Sequence, residues 1–419
     1  MKKLYSIKSS CRLCGSKDLE LVVPLGDSPV SEKYLTKENL SEKQDQVPLD
    51  LYFCLSCTHV QLLAVVEPDF LWSDFTFKTS NNPALVEHFK DVANRIIKIK
   101  QVDKNDLIID IGSNDGTLLQ CFKDKGHKSI LGVDPADKIS LEATENGIPT
   151  ITAYMNMETS NNIINNYGKA SIITANNVYA HVDDMIGLTA AIKNVLKEDG
   201  IFVFEVSYLL DVVEKILIGT VFHEHLCYHS VRSLSSFLRS QDLELIHVER
   251  GPEQGGSIIG YAQHINGSQK VNQSVMSLIN LENESKLNEP VTIRGMYSGL
   301  EKVKNEVSNL ISNLKNDNQS VAGYGAARAG TTLLSYFGIG QELDFLVDDN
   351  KTKHYKFSPG DKLEVLPTSS IYTKTPDYLL ILAWLHADKI IQSHKQYLDG
   401  GGIFLKLFPG LKQVKSNNS

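Results

Sequence analysis

Long apolar runs are missing from this chain. No stretch approaches the roughly 20 residues that a bilayer-spanning helix needs. After Met1-Lys2-Lys3-Leu4 the sequence turns polar, with no apolar core of a signal peptide. No membrane association and a cytoplasmic location are therefore expected. A surplus of positive charge is also missing: 42 Lys and Arg face 50 Asp and Glu, for a formal net charge of -8. Binding nucleic acid by neutralising phosphates needs the opposite balance, so no nucleic-acid partner is expected. Cysteine is scarce at six residues and is not spread as a disulfide set would be. Four cysteines form two CxxC pairs, and Cys121 and Cys227 stand alone. No internal repeat is visible beyond two halves that both read as doubly wound.

What is present divides into three regions. With 419 residues the chain exceeds one ordinary core. Residues 1–70 hold both CxxC pairs and little helical periodicity, which predicts short strands and turns around a metal. Residues 71–265 alternate apolar runs with helical stretches. The runs Leu107–Ile111, Ile130–Val133, Ser171–Ala175 and Ile201–Val206 predict a mostly parallel sheet covered by helices. Residues 266–419 open with a polar segment, about 268 to 316, that reads as one long helix or a helix pair. A second strand–helix series follows through Val321-Ala322, Phe345-Leu346-Val347 and Tyr378–Leu382. The fold class is α/β: a small zinc-binding module, a Rossmann-like central domain and a Rossmann-like C-terminal domain.

The central domain carries the first chemical signal. A buried strand ends at Asp110-Ile111-Gly112, and Ser113-Asn114-Asp115-Gly116 leads into a helix near Thr117. Glycine at a strand-to-helix turn lets backbone approach a ligand, and the helix start offers free N–H groups. A nicotinamide site would show GxGxxG against a pyrophosphate. Here the loop is GSNDG, and a carboxylate beside pyrophosphate is unfavourable, whereas the ammonium of S-adenosylmethionine tolerates it. Asp134, ending the next strand, is suited to accept the ribose hydroxyls. Asn176-Asn177 end a third strand on the adenine side. The run Leu196–Gly200 before Ile201 reads as a helix–glycine–strand step. Another kind of doubly wound nucleotide binder is the alternative.

Cys11-x-x-Cys14 and Cys54-x-x-Cys57 predict four thiolates on one tetrahedral ion, a closed and therefore structural Zn2+ site; iron accepts the same ligands. Further along, His223-Glu224-His225 follows the strand bearing Glu205. Two imidazoles beside a carboxylate suit proton transfer at neutral pH. The spacing lacks the i, i+4 pattern of a zinc hydrolase helix. His181 follows Asn176-Asn177, so both segments fall at the carboxyl ends of strands, where open α/β sheets bind ligands.

Taken together these motifs resemble a known family, the three-domain, zinc-containing bacterial C-methyltransferases that act on nucleotide-linked keto-deoxysugars. The resemblance runs through the CxxC pairs, Phe75-Thr76-Phe77-Lys78-Thr79-Ser80, Ile111–Gly116, Asn177-Val178-Tyr179-Ala180-His181, His223-Glu224-His225 and Gly255-Gly256-Ser257. It continues through Gly323-Tyr324-Gly325-Ala326 and Val347-Asp348-Asp349-Asn350. It implies S-adenosylmethionine as methyl donor and a nucleotide-sugar substrate methylated at carbon after loss of the proton alpha to a ketone. His225 matches the family's base, with Glu224 and His181 as supporting polar groups. Phe77, Lys78 and Ser80 join Asp110, Gly112, Asn114, Gly116, Asp134, Asn176 and Asn177 as expected cofactor contacts. Phe75, Phe222 and His223 are expected to line the substrate. The family usually has tyrosine in the Phe75/Phe77 stretch and at Phe222, and losing that hydroxyl removes a hydrogen-bonding group.

In the C-terminal half, Gly323-Tyr324-Gly325-Ala326-Ala327-Arg328 follows a strand and opens a helix, without the third glycine of GxGxxG. Tyr324, Gly325 and Arg328 are expected to hold the substrate's diphosphate, and a purely structural domain is the alternative. A monomer is expected. The competing functions are O- or N-methylation of the same kind of substrate, and a non-catalytic zinc-bearing protein that keeps the cofactor fold.

Overall fold

The computed structural model describes residues 4–72, 77–408 and 410–416. Its centre is a seven-stranded sheet: β1 Ile108–Ile111, β2 Ile130–Asp134, β3 Thr150–Thr152, β4 Ala170–Asn176, β5 Leu196–Ser207, β6 Leu243–Gly251 and β7 Ser257–His264. The order is β3-β2-β1-β4-β5-β7-β6. The first five strands are parallel, and β7 inserts antiparallel between β5 and β6. The apolar runs become these strands because both faces are covered: every residue of β1 and β2 is buried. The run Leu196–Gly200 departs from the expected step. The preceding helix ends at Val195 and the strand starts at Leu196, with a register shift against β4 that absorbs the irregular residues.

Helix α1, Pro83–Ile99, covers one face; Asn82 caps it by accepting from the amides of Ala84 and Leu85, Pro83 stands at its start, and Phe89, Val92, Ala93 and Ile96 form its buried stripe. Helix α2, Thr117–Asp124, begins after Gly116, whose φ of 78° is left-handed. The polar segment is a helix pair, α3 Gln273–Glu284 and α4 Pro290–Asn316. Seven buried apolar residues from Ile293 to Leu314, spaced three or four apart, seat α4 on the core.

The C-terminal sheet comprises β8 Val321–Tyr324, β9 Leu346–Asp348, β10 Val365–Pro367, β11 Tyr378–Ile381, β12 Ile403–Lys406 and β13 Lys412–Val414, in the order β10-β9-β8-β11-β12-β13. Helix α5, Arg328–Phe337, leaves β8. The N-terminal module is antiparallel. Its strands Leu19–Val23, Leu51–Cys54 and Val60–Leu62 are completed by Cys227–Tyr228, which arrives from the central region and pairs with Val60 and Gln61. A hairpin of Asp27–Pro29 with Gln46–Pro48 extends from the module. Among the described residues no helix is long and apolar enough to cross a membrane.

Candidate active site

The loop after β1 is held open by three devices. Gly112 has φ 67°, and a Cβ there would lie 2.4 Å from Val178 Cγ2. The Gly112 amide donates to Val133 O at 2.7 Å, tying the loop to β2. Asp134 accepts from the amides of Asn114 (2.8 Å) and Ala136 (2.9 Å). Burial raises the Asp134 carboxyl above the usual carboxylate range. Burial also pushes Asp110 up to about 7, against the hydrogen bond from Thr174 Oγ1 at 2.6 Å and with a further push from Asp134.

The acidic interior of the loop does something the sequence did not suggest. Asn114 Oδ1 accepts from the Thr79 amide at 2.9 Å, and its Nδ2 donates to Phe77 O at 2.9 Å. Asp115 accepts from the Ser80 amide at 3.0 Å and from Thr117 Oγ1 at 2.6 Å. Both side chains therefore clamp residues 77–80 over the loop. Lys78 reaches outward to Glu142, 2.6 Å away. Phe75 lies outside the described residues. At the end of β4, Asn177 accepts from Gln254 Nε2 at 2.8 Å, while the buried amide of Asn176 has no protein partner at either Nδ2 or Oδ1. A buried amide without partners implies a ligand or water that completes it. With the glycine cradle beside it, this fits S-adenosylmethionine.

The His-Glu-His segment sits on the same rim. His225 is buried, and its Nδ1 is 2.8 Å from Thr220 O. A carbonyl only accepts, so Nδ1 carries the proton and Nε2 holds the lone pair. His181 repeats this arrangement with Nδ1 2.8 Å from Glu224 O. The two rings stand edge to face at 4.7 Å, Phe222 lies 4.0 Å from His225, and Trp72 packs edge-on to His181 at 5.5 Å. Burial lowers the His181 pKa to about 4, opposed by its bond to Glu224 O and assisted by Arg328. Burial, His181 and Arg328 hold His225 well below the ordinary imidazole value. Both rings are neutral at pH 7. His223 turns the other way, its Nε2 3.0 Å from Val47 O in the N-terminal hairpin.

Glu224 is buried and accepts from Arg328 Nε at 3.0 Å and from Ser31 Oγ at 3.2 Å. Arg328 was expected at a diphosphate; here its Nε meets the carboxylate, because α5 docks directly on residues 218–225. Thr332 Oγ1 donates to Val221 O at 2.7 Å, and a Cβ on Gly219 would lie 2.9 Å from Ala329. Tyr324 donates to Asp349 Oδ2 at 3.0 Å. Gly325 has φ 105° and its amide donates to Val347 O at 2.8 Å. Ser31 and Trp72 were not singled out from sequence, because their partners Glu224 and His181 are remote in the chain; Thr220, five residues before His225, acts through a backbone carbonyl that its side-chain type does not signal.

The sulfurs of Cys11, Cys14, Cys54 and Cys57 lie within 4.8 Å of one another, with Cys11–Cys57 at 3.5 Å and Cys14–Cys54 at 3.6 Å. Zn–S bonds of ~2.3 Å in a tetrahedron put sulfurs about 3.8 Å apart, so the cluster fits zinc. Each pair sits on a tight turn, with Gly15 N bonded to Cys11 O and Thr58 N to Cys54 O. A second group, His88 with Glu205 (2.7 Å) and Glu253 (3.0 Å), uses opposite ring nitrogens for the two carboxylates. That geometry suits a doubly protonated imidazole, and although burial opposes charge, Glu205 and Glu253 hold the His88 pKa above its ordinary value.

A glycine loop at β1, an acid closing β2 and an unpartnered asparagine at β4 lie on one rim of the sheet with the chemistry a methyl donor requires, and the chain is an S-adenosylmethionine-dependent methyltransferase. The comparisons agree in sequence order. Residues 11–72 match a zinc binding domain, residues 87–248 a methyltransferase domain, and residues 252–409 a C-methyltransferase C-terminal domain. The chain is 29% identical to the C-methyltransferase NovU of Streptomyces niveus over 410 residues, 98% of this chain and 97% of that one. Zinc-binding, methyltransferase and C-methyltransferase C-terminal matches thus follow one another along the chain, which is similar over its length to a C-methyltransferase. Among solved structures it is similar to an S-adenosylmethionine-dependent methyltransferase from Clostridium acetobutylicum, with 14% identity, 43% of this chain and 92% of that chain covered, and a TM-score of 0.35. It is also similar to magnesium protoporphyrin IX methyltransferase from Synechocystis, at 14% identity, 45% and 89% coverage, and a TM-score of 0.34.

Proposed function

We propose that the chain methylates carbon in a nucleotide-linked keto-deoxysugar, in the cytoplasm and as a monomer. His225 removes the proton alpha to the ketone. The observation that carries this reading is the tautomer of His225: a buried, neutral imidazole whose Nδ1 proton is held by Thr220 O keeps its basic lone pair on Nε2. His181, with its own proton on Glu224 O, also has an accepting Nε2. As a neutral ring it orients the base edge-on and does not donate to the ketone. Asp110, Gly112, Asn114, Gly116, Asp134 and Asn176 hold S-adenosylmethionine, with Asn177 beside them and residues 77–80 as the clamp over the loop. When bound, that cofactor supplies an electrophilic methyl group to the carbon that has lost its proton. Phe222 keeps an aromatic wall against His225 and offers the substrate no hydroxyl.

Incubation with a panel of nucleotide-linked 4-keto-deoxysugars in D2O tests this directly. Without S-adenosylmethionine, deuterium is expected to wash into the carbon beside the ketone; with it, that carbon is expected to exchange one hydrogen for one methyl group. Methylated product whose carbon beside the ketone keeps all its hydrogens would sink the carbon reading in favour of methylation at a hydroxyl or amine. His225→Ala is expected to cut turnover by about 10²–10⁴-fold, the range of a lost general base, with S-adenosylmethionine affinity unchanged by calorimetry.

A further inference from the structure

We propose that Ser31 of the zinc-bearing module and Arg328 of the C-terminal domain are positioning residues for Glu224, so that the proton-transfer site is assembled only where all three domains meet. The inference rests on the reading of residues 224 and 225 as catalytic. Glu224 is bonded on Oε2 by Ser31, 193 residues away, and on Oε1 by Arg328, 104 residues away. Its neighbours are gripped from the same two sides. The module takes His223 through Val47 O (3.0 Å), takes Leu226 O through the Leu62 amide (3.0 Å), and pairs with Cys227 and Tyr228 as a strand. The C-terminal helix α5 takes Val221 O through Thr332.

The two gripping domains also hold each other. Tyr34 donates to Ala326 O, Lys353 Nζ bridges Ala326 O (2.8 Å) and Glu32 (2.9 Å), and Leu35 forms a β-bridge with Phe357. Residues 31–35 thus run as one strap from Glu224 to the C-terminal loop. The Glu224 carbonyl in turn fixes the His181 proton, so a shift of this segment changes both imidazoles. Arg328 acts on them electrostatically as well, because its charge disfavours protonation of His181 and His225.

Ser31→Ala, Ser31→Thr, Arg328→Gln and Glu224→Gln, assayed on the keto-sugar that the mass screen selects, test the proposal. Losing a hydrogen bond to a carboxylate predicts a roughly tenfold or greater fall in kcat for Ser31→Ala and Arg328→Gln, with S-adenosylmethionine affinity unchanged. Ser31→Thr keeps the hydroxyl and is expected to retain most activity. In a Glu224→Gln background, Ser31→Ala is expected to cost far less than it does alone, as residues acting through one group must. Arg328→Gln is also expected to move the acid limb of the pH–kcat profile upward, since the imidazoles facing it protonate more readily without its charge. The proposal is overturned if Ser31→Ala and Arg328→Gln turn over normally while Glu224→Gln is impaired. It is equally overturned if Arg328→Gln raises KM alone and leaves kcat and the pH profile in place, which marks a substrate contact. Full activity of Glu224→Gln removes the catalytic reading itself.

Discussion

The loops that follow β1 and β8 start from one backbone design and end in different jobs. In each, a glycine with positive φ donates its amide to a valine carbonyl of the next strand: Gly112 to Val133 O at 2.7 Å, Gly325 to Val347 O at 2.8 Å. In each, the acid ending that next strand accepts two amides. Asp134 takes Asn114 and Ala136, and Asp348 takes Ala326 (2.8 Å) and Asn350 (2.7 Å). The differences lie in what surrounds the design. Two residues before the glycine, β1 carries Asp110 where β8 carries Gly323. Beside the first loop, Asn176 is left without a partner; over the second, Tyr34 and Lys353 occupy Ala326 O, and Arg328 turns to Glu224. A doubly wound loop is thus a permissive scaffold. One copy leaves a buried amide free for a ligand, and the other is covered by contacts between domains.

The largest test removes what covers the second loop. Structural zinc contributes on the order of 10 kcal/mol to small metal-bound modules. Stripping the metal with a chelator, or Cys54→Ala, is expected to abolish turnover while calorimetry still detects S-adenosylmethionine binding. Simultaneous loss of binding would show that the module supports both loops.

The paired acids come next. Asp134→Asn is expected to weaken S-adenosylmethionine affinity by about 10-fold or more, the scale of a charge-assisted hydrogen bond. Asp348→Asn is expected to leave that affinity alone and lower the unfolding temperature. Equal effects on affinity would erase the distinction between the loops.

Asp110 gives a graded test that β8 cannot mimic. With its pKa pushed up to about 7 by burial, the unliganded carboxyl is largely protonated below that pH, and binding an ammonium to it must release the proton. S-adenosylmethionine affinity is therefore expected to fall by up to about tenfold per unit as pH drops below 7. Asp110→Asn should flatten that dependence while lowering affinity throughout; an unchanged slope in the variant would assign the effect elsewhere.

Smallest is the seam itself. Tyr34→Phe deletes one hydrogen bond to Ala326 O and is expected to cost about 1 kcal/mol of stability in denaturant titration. A cost near zero would mean that Lys353 alone secures the carbonyl.

Periodicity, composition and short spacing already contained the α/β class, the two CxxC pairs, the strands ending at Ile111, Asp134 and Asn176, and the helical nature of the polar segment, though not whether it forms one helix or two. These are properties of contiguous residues: a run of buried apolar side chains needs both faces covered, and two cysteines three apart can share an ion. The cofactor loop was legible for the same reason. Only the tertiary structure decided what its polar side chains do. Asn114 and one oxygen of Asp115 hold residues 77–80, His223 turns to the N-terminal hairpin, and Arg328 binds Glu224. Each partner lies 35 residues or more away in the chain, brought in by packing of a different element, so no local pattern records it. Sequence determined that a methyl donor and a four-cysteine metal cluster belong to one chain. Folding decided which side chains face the reaction and which bind the domains together, because orientation follows from packing between elements that the sequence holds far apart.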